Sequence, residues 1–186
     1  LAAALGALAA GRAAGAAAQT VEETQGSGTA PAALATGSHA HAAAPTATAA
    51  RALQGIEIDG VLDEADWSLA QPITELLQTA PHEGRPVTER TEVRFVYDDG
   101  AIYVGARLHD RSPVTTRLAR RDAGLGDSDR FVVLLDSYHD HETAYRFWTN
   151  PSGVKGDAIV TGNSTGGGDA SWDPVWDLAV SVGPSG

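Results

Sequence analysis

Two tryptophans stand four residues apart in DASWDPVWD, residues 169 to 177, with three aspartates around them. An indole offers a flat apolar face on which the C–H side of a sugar ring packs, while the sugar's hydroxyls call for charged or amide partners. A further tryptophan lies in TAYRFWTN, residues 143 to 150, where Trp148 alternates with Arg146 and Asn150. On an extended segment these three share one face. Trp172, Trp148, Arg146 and Asn150 are therefore the candidate carbohydrate-contacting set. The competing reading of Trp148 is an indole among polar neighbours on a half-exposed sheet face. Trp176 sits at a spacing of two from Leu178, Val180 and Val182, which reads as the first inward residue of a last strand.

The acidic residues suggest a second chemistry. Calcium takes six to eight oxygens from carboxylates, carbonyls and water, and turn-rich acidic loops supply them. DSYHDHE, residues 136 to 142, offers Asp136, Asp140 and Glu142, with Asp127 and Asp129 ahead of the preceding apolar run. These three are the candidate calcium ligands, with solvated loop carboxylates as the alternative; the spacing is not that of an EF-hand. The HDH pair of His139 and His141 and the HAH pair of His39 and His41 each lack an identifiable third ligand for zinc. No GxSxG elbow, HExxH helix, phosphate-binding glycine loop or cysteine nucleophile is present. The module itself is thus expected to be non-catalytic, although a parent protein could carry glycosidase-type activity.

Composition narrows the partners. The net charge is −11, with 24 acidic against 13 basic side chains. That disfavours nucleic acid, whose binding rests on Lys and Arg neutralising phosphates. With no cysteine, disulfides and thiolate metal sites are excluded, and without methionine a haem has no Met axial ligand. A chain of 186 residues that does not open on Met is expected to be one domain of a mature form or fragment.

Residues 1 to 18, LAAALGALAAGRAAGAAA, resemble the apolar region and small-residue cleavage site of a secretory signal, though a basic start is missing and an Ala-rich low-complexity tail fits as well. The uncharged run ends at Gly11, short of the roughly 20 apolar residues that span a bilayer. Export to the periplasm, outer membrane or extracellular space is the expectation. Residues 19 to 55 are rich in Ala, Thr, Gly and Ser and read as a disordered linker, because they hold too little apolar surface to offset the entropy of ordering.

From Ile56 onward the period is two. Asp63 is expected to cap a short helical turn through Trp67, and ITELLQ, 73 to 78, to form a strand. In EVRFVY-DDG-AIYVGARLHD, Val93, Phe95 and Tyr97 share one face, and Ile102, Val104, Ala106 and Leu108 share the return face around turn residues 98 to 100. FVVLLD, 131 to 136, reads as a central strand covered on both sides. Further strands are expected near 143 to 150, 154 to 160 and 176 to 182. Seven or eight strands with Gly and Asp turns imply an all-β, two-sheet antiparallel β-sandwich.

IDGVLDEADW (58 to 67), TEVRFVYDDGAIYVGARLHD (91 to 110), FVVLLDSYHDHETAY (131 to 145), NPSGVKGDA (150 to 158) and SWDPVWDLAV (171 to 180) together resemble the family 9 carbohydrate-binding module, in the version found at the N-terminus of large exported bacterial proteins. The resemblance covers residues 56 to 186. It implies a DOMON-like, jelly-roll type sandwich, polysaccharide or oligosaccharide as partner, and bound calcium in some members. It places Trp67, next to the IDG-LDE signature, in the core. Relatives continue with another strand and often an outer-membrane barrel-like region, so the resemblance implies a sandwich lacking its C-terminal strand. A structural role, packing on such a barrel without sugar, is the alternative function.

Overall fold

The computed structural model describes residues 2–6, 46–124, 126–162 and 167–183. It is all-β but for one short helix, and its strands form two sheets. Residues 2–6 belong to the same compact unit as the described residues from 47 onward.

The hairpin forms where the alternation demands it. β3 (Thr91–Tyr97) and β4 (Ile102–Leu108) pair antiparallel, with Val93 opposite Ala106 and Phe95 opposite Val104. The Asp98 carboxylate holds the turn by accepting the N–H groups of Gly100 and Ala101 at 2.7 and 2.8 Å and the Tyr103 hydroxyl at 2.8 Å. These bonds, that from Gly100 foremost, hold the Asp98 carboxyl below its ordinary range.

Around the hairpin, β1 (Ala2–Gly6), β2 (Ala50–Arg51) and β8 (Asp177–Ser181) complete a sheet of order β2-β3-β4-β1-β8. β2 runs parallel to β3 and the other neighbours are antiparallel. The second sheet holds β5 (Phe131–Leu135), β6 (Thr143–Thr149) and β7 (Lys155–Thr161), antiparallel, with β6 in the centre.

The two sheets close on one core. Val93, Val104 and Ala106 of the large sheet meet Val133 and Phe147 of the small one, and Trp176 is buried between them. A separate cluster of Leu62, Trp67, Ala70 and Val96 seals the outer face of the large sheet. Trp67 rides on α1 (Ala65–Leu69), and its ring lies so close over Gly105 that a Cβ there would sit 2.7 Å from it. Trp67 is therefore a core residue, as its place beside the IDG-LDE signature implies.

Four sequence expectations need correction. Residues 73 to 78 form no strand; they contribute only isolated bridges, Ile73 to Val93 and Leu77 to Pro86. FVVLLD is an edge strand of the small sheet, not a central one, and Leu134 remains exposed on the outward face, opposite Arg146. Asp63 does not cap the helix: Glu64 takes the N-cap position without a side-chain bond. The order starts before Ile56, since β2 pairs with β3 and buried Asp66 accepts the N–H groups of Leu53, Gln54 and Gly55 at 3.0, 2.9 and 3.1 Å. One carboxylate thus anchors a segment whose own side chains bury little. Apart from residues 2–6 and 46–55, the expected signal segment and linker lie outside the described residues.

Two outcomes are expected. Gly105→Ala drives a methyl into the Trp67 ring and lowers stability by about 1–3 kcal/mol in urea unfolding. The backbone bonds to Asp66, that from Gln54 foremost, depress its folded-state pKa below the ordinary 3.8. Its contribution is therefore present above the unfolded value and lost as pH falls through the lower folded value. Asp66→Asn should lower the melting temperature at neutral pH and flatten its acid dependence below about pH 4.

Candidate functional site

Strand β6 divides the site in two, because successive side chains leave opposite faces of a sheet. Tyr145 and Phe147 turn inward, and Arg146 and Trp148 turn outward.

On the inward side the rings form a row. The Trp172 ring lies 4.7 Å from Tyr145 and 5.7 Å from Phe147, and Phe147 meets Trp176 edge-on at 5.4 Å. Outward from Tyr145, Tyr138 follows at 6.5 Å and is 69 % exposed. Its hydrogen bond with Tyr138, and then burial, hold the Tyr145 phenol above its ordinary range. The row runs from the core at Trp176 to solvent at Tyr138. Trp67, Trp148 and Trp176 are 3, 8 and 2 % exposed, whereas Trp172 is half-buried. Trp172 alone of the four tryptophans presents an accessible indole.

On the outward side, the Arg146 guanidinium lies 4.9 Å over the Trp148 ring. The ring also presses on Gly156, its cross-strand partner, so closely that a side chain there would overlap it. Trp148 is thus buried, not half-exposed as an open platform. Above the pair opens a cavity of about 370 Å³, bounded by Arg130, Asp122, Ala158 and the glycines at 167 and 168. Gly168 lies at φ 121°, and a Cβ there would sit 2.7 Å from the Ile159 carbonyl oxygen, so the position is closed to other residues.

The four residues expected to touch sugar are therefore not one group. Arg146 and Trp148 come together, Trp172 stands across β6 from them, and Asn150 is wholly buried. The Asn150 amide donates to the Arg117 carbonyl and the Ser128 hydroxyl, and its oxygen accepts the N–H groups of Ser152 and Val154. With both ends engaged it shapes the turn after β6 and has nothing left for a ligand.

Two of the three expected calcium ligands, Asp136 and Asp140, brace their own loop. Asp136 accepts the N–H groups of Asp140 and His141, and Asp140 accepts those of Glu142 and Thr143. These bonds, from His141 first for Asp136 and from Glu142 first for Asp140, hold both carboxyls below their ordinary range. They stabilise a loop in which His139 and His141 adopt φ 53° and 57°. Among the described residues no three His, Cys, Asp or Glu side chains gather to hold a metal ion.

Sequence reasoning missed the polar knot beneath both faces. Asp157 of β7 lies opposite Phe147 at an inward position and is wholly buried. Its Oδ2 accepts the Trp176 indole N–H at 3.0 Å and the Arg121 guanidinium at 2.6 Å. Arg121 also reaches Asp173 at 2.5 Å and the Pro174 carbonyl at 3.2 Å. The available signal was an aspartate at inward parity in KGDAIV, since a buried carboxylate must find partners.

Asp157→Ala strands the Trp176 N–H and leaves Arg121 without its buried counter-charge. Stability in urea should fall by about 2–4 kcal/mol. Asp157→Asn, which keeps an acceptor, should lose less. Compared with known proteins, no protein-family model, no curated protein and no solved structure matches this chain.

Proposed function

We propose that this chain is an exported, non-catalytic carbohydrate-binding module serving a larger protein that binds or degrades polysaccharide. The observation that carries this reading is the aromatic row of Trp172, Tyr145 and Tyr138, graded from half-buried to exposed. Sugar rings pack their C–H faces on such rings, and phenolic hydroxyls supply polar partners at the rim. A row without a deep cleft suits a polysaccharide chain lying along a surface. The resemblance of residues 56 to 186 to family 9 carbohydrate-binding modules points the same way. The net charge of −11 leaves neutral glycans as suitable partners and disfavours polyanions such as nucleic acid.

A second reading, in which the domain packs on a following outer-membrane barrel and binds no sugar, rests on a different place. An apolar cleft of about 480 Å³ opens beside Phe95, Tyr97, Ile102 and Leu135. Exposed apolar surface of this kind suits a packing contact.

Titration calorimetry against a panel of soluble oligosaccharides separates the two. The module reading expects binding that Trp172→Ala and Tyr138→Ala each weaken about five- to tenfold, in line with about 1–1.4 kcal/mol per ring contact. A silent panel, or unchanged affinity in both variants, overturns it. Iodide should quench Trp172 fluorescence in the free chain and lose access to it once oligosaccharide is bound.

A further inference from the structure

We propose that the cavity over Trp148, on the outward face of the small sheet, is a site for an oxyanion, a carboxylate or phosphate group carried on a ring-sized molecule and held by Arg146 and Arg130. This site lies across β6 from the aromatic row, and its ligand class differs from the neutral glycan placed there.

Charge is the first argument. Among the described residues neither Arg146 nor Arg130 forms an ion pair, although acidic residues outnumber basic ones by 24 to 13. Both arginines line the same cavity, close enough for their charges to interact. The one carboxylate at its rim, Asp122, is already engaged: its Oδ1 accepts the Asp157 N–H at 3.0 Å, and its Oδ2 lies 3.5 Å from Arg121. Two like charges facing one space without a counter-ion from the chain raise each other's energy, and an anion relieves it. Burial first, and then the Arg130 charge, weaken the proton affinity of Arg146.

Unused donor capacity is the second argument. The Arg146 Nε is buried and has no hydrogen-bond partner, and Nη1 makes only a 3.3 Å bond to the Gly167 carbonyl. A guanidinium presents five N–H groups in a fixed fork that fits a carboxylate or phosphate edge.

Pre-organisation is the third. The indole fixes the guanidinium plane from below at 4.9 Å, and Gly156 fixes the indole in turn. A donor already locked in place loses little further freedom on binding. At about 370 Å³ the cavity falls within the range of small-ligand sites and exceeds what a bare ion needs. Ala158 and Ala170 give it an apolar wall for the ring. Trp148 is a positioning residue here, acting through Arg146.

Titration calorimetry on the full chain at low salt tests this with three probes: glucuronate, inorganic phosphate and glucose. Binding of glucuronate, of phosphate or of both is expected, weakening as salt is raised. Which of the two binds more tightly identifies the carboxylate or the phosphate source. Arg146→Gln should weaken anion binding at least tenfold. Arg130→Gln, at an exposed position that leaves the fold intact, should weaken it several-fold. Silence of both anions, equal affinity for glucose, or unchanged anion binding in Arg130→Gln overturns the proposal.

Discussion

A single buried carboxylate sets the terms for the rest of this molecule. Asp157 cannot remain charged inside the sandwich unless its partners are held close. Meeting that demand draws three parts of the chain together. The Trp176 indole is turned inward by its N–H bond to Asp157, which places the start of β8. Arg121 is drawn down from the segment between β4 and β5, and Asp122 beside it accepts the Asp157 N–H. Burial opposes the charge on Arg121, but its bond to Asp157 and the nearby charges of Asp157, Asp173 and Asp122 outweigh that and hold its pKa above the ordinary value. Lys155 completes the knot, donating to the Trp176 carbonyl at 2.7 Å while its ammonium lies 5.0 Å from the ring centre. Both ring clusters inherit their positions from this arrangement.

The same economy of means recurs on the outer faces. Each sheet lays one indole over one glycine, Trp67 over Gly105 and Trp148 over Gly156. A missing side chain makes the seat, and the ring closes the backbone from water. In the small sheet the ring does a second job, because it also carries the guanidinium above it. In the large sheet the corresponding polar groups face the chain itself: the Trp67 N–H is bound by Glu64, and Arg94 donates to the Trp67 and Ala70 carbonyls. Similar packing therefore leaves the Arg146 Nε unpartnered on one sheet, while on the other the Trp67 N–H and Arg94 are bonded within the chain.

Alternation made the hairpin, β6 and the inward placing of Trp176 legible, since each depends only on neighbours two residues apart. What depends on distant partners was not legible. Nothing local in AAALG or AR marks strands β1 and β2, whose slots are defined by β3, β4 and β8. Nothing local in FVVLL distinguishes an edge from a centre. For the site, the alternation grouped Arg146 correctly with Trp148, but it grouped Asn150 with them too, and the turn after β6 claims that amide for its own backbone. Trp172 could not be assigned a face because it sits on no strand. Tyr138 and Arg130 escaped notice for the same reason, being loop residues that acquire meaning only from what β6 sets beside them.

Both ring clusters hang from one seven-residue strand, and this ties their fates together. Its odd-numbered side chains serve the row that ends at Tyr138, and its even-numbered ones serve the cavity of the two arginines. Shifting β6 by one position against its neighbours would turn every side chain over. Phe147 or Thr149 would then occupy the seat made for an indole above glycine, and the guanidinium would point into the apolar interior. The two clusters are in this sense obverse and reverse of one coin, and an insertion or deletion within β6 would erase both together.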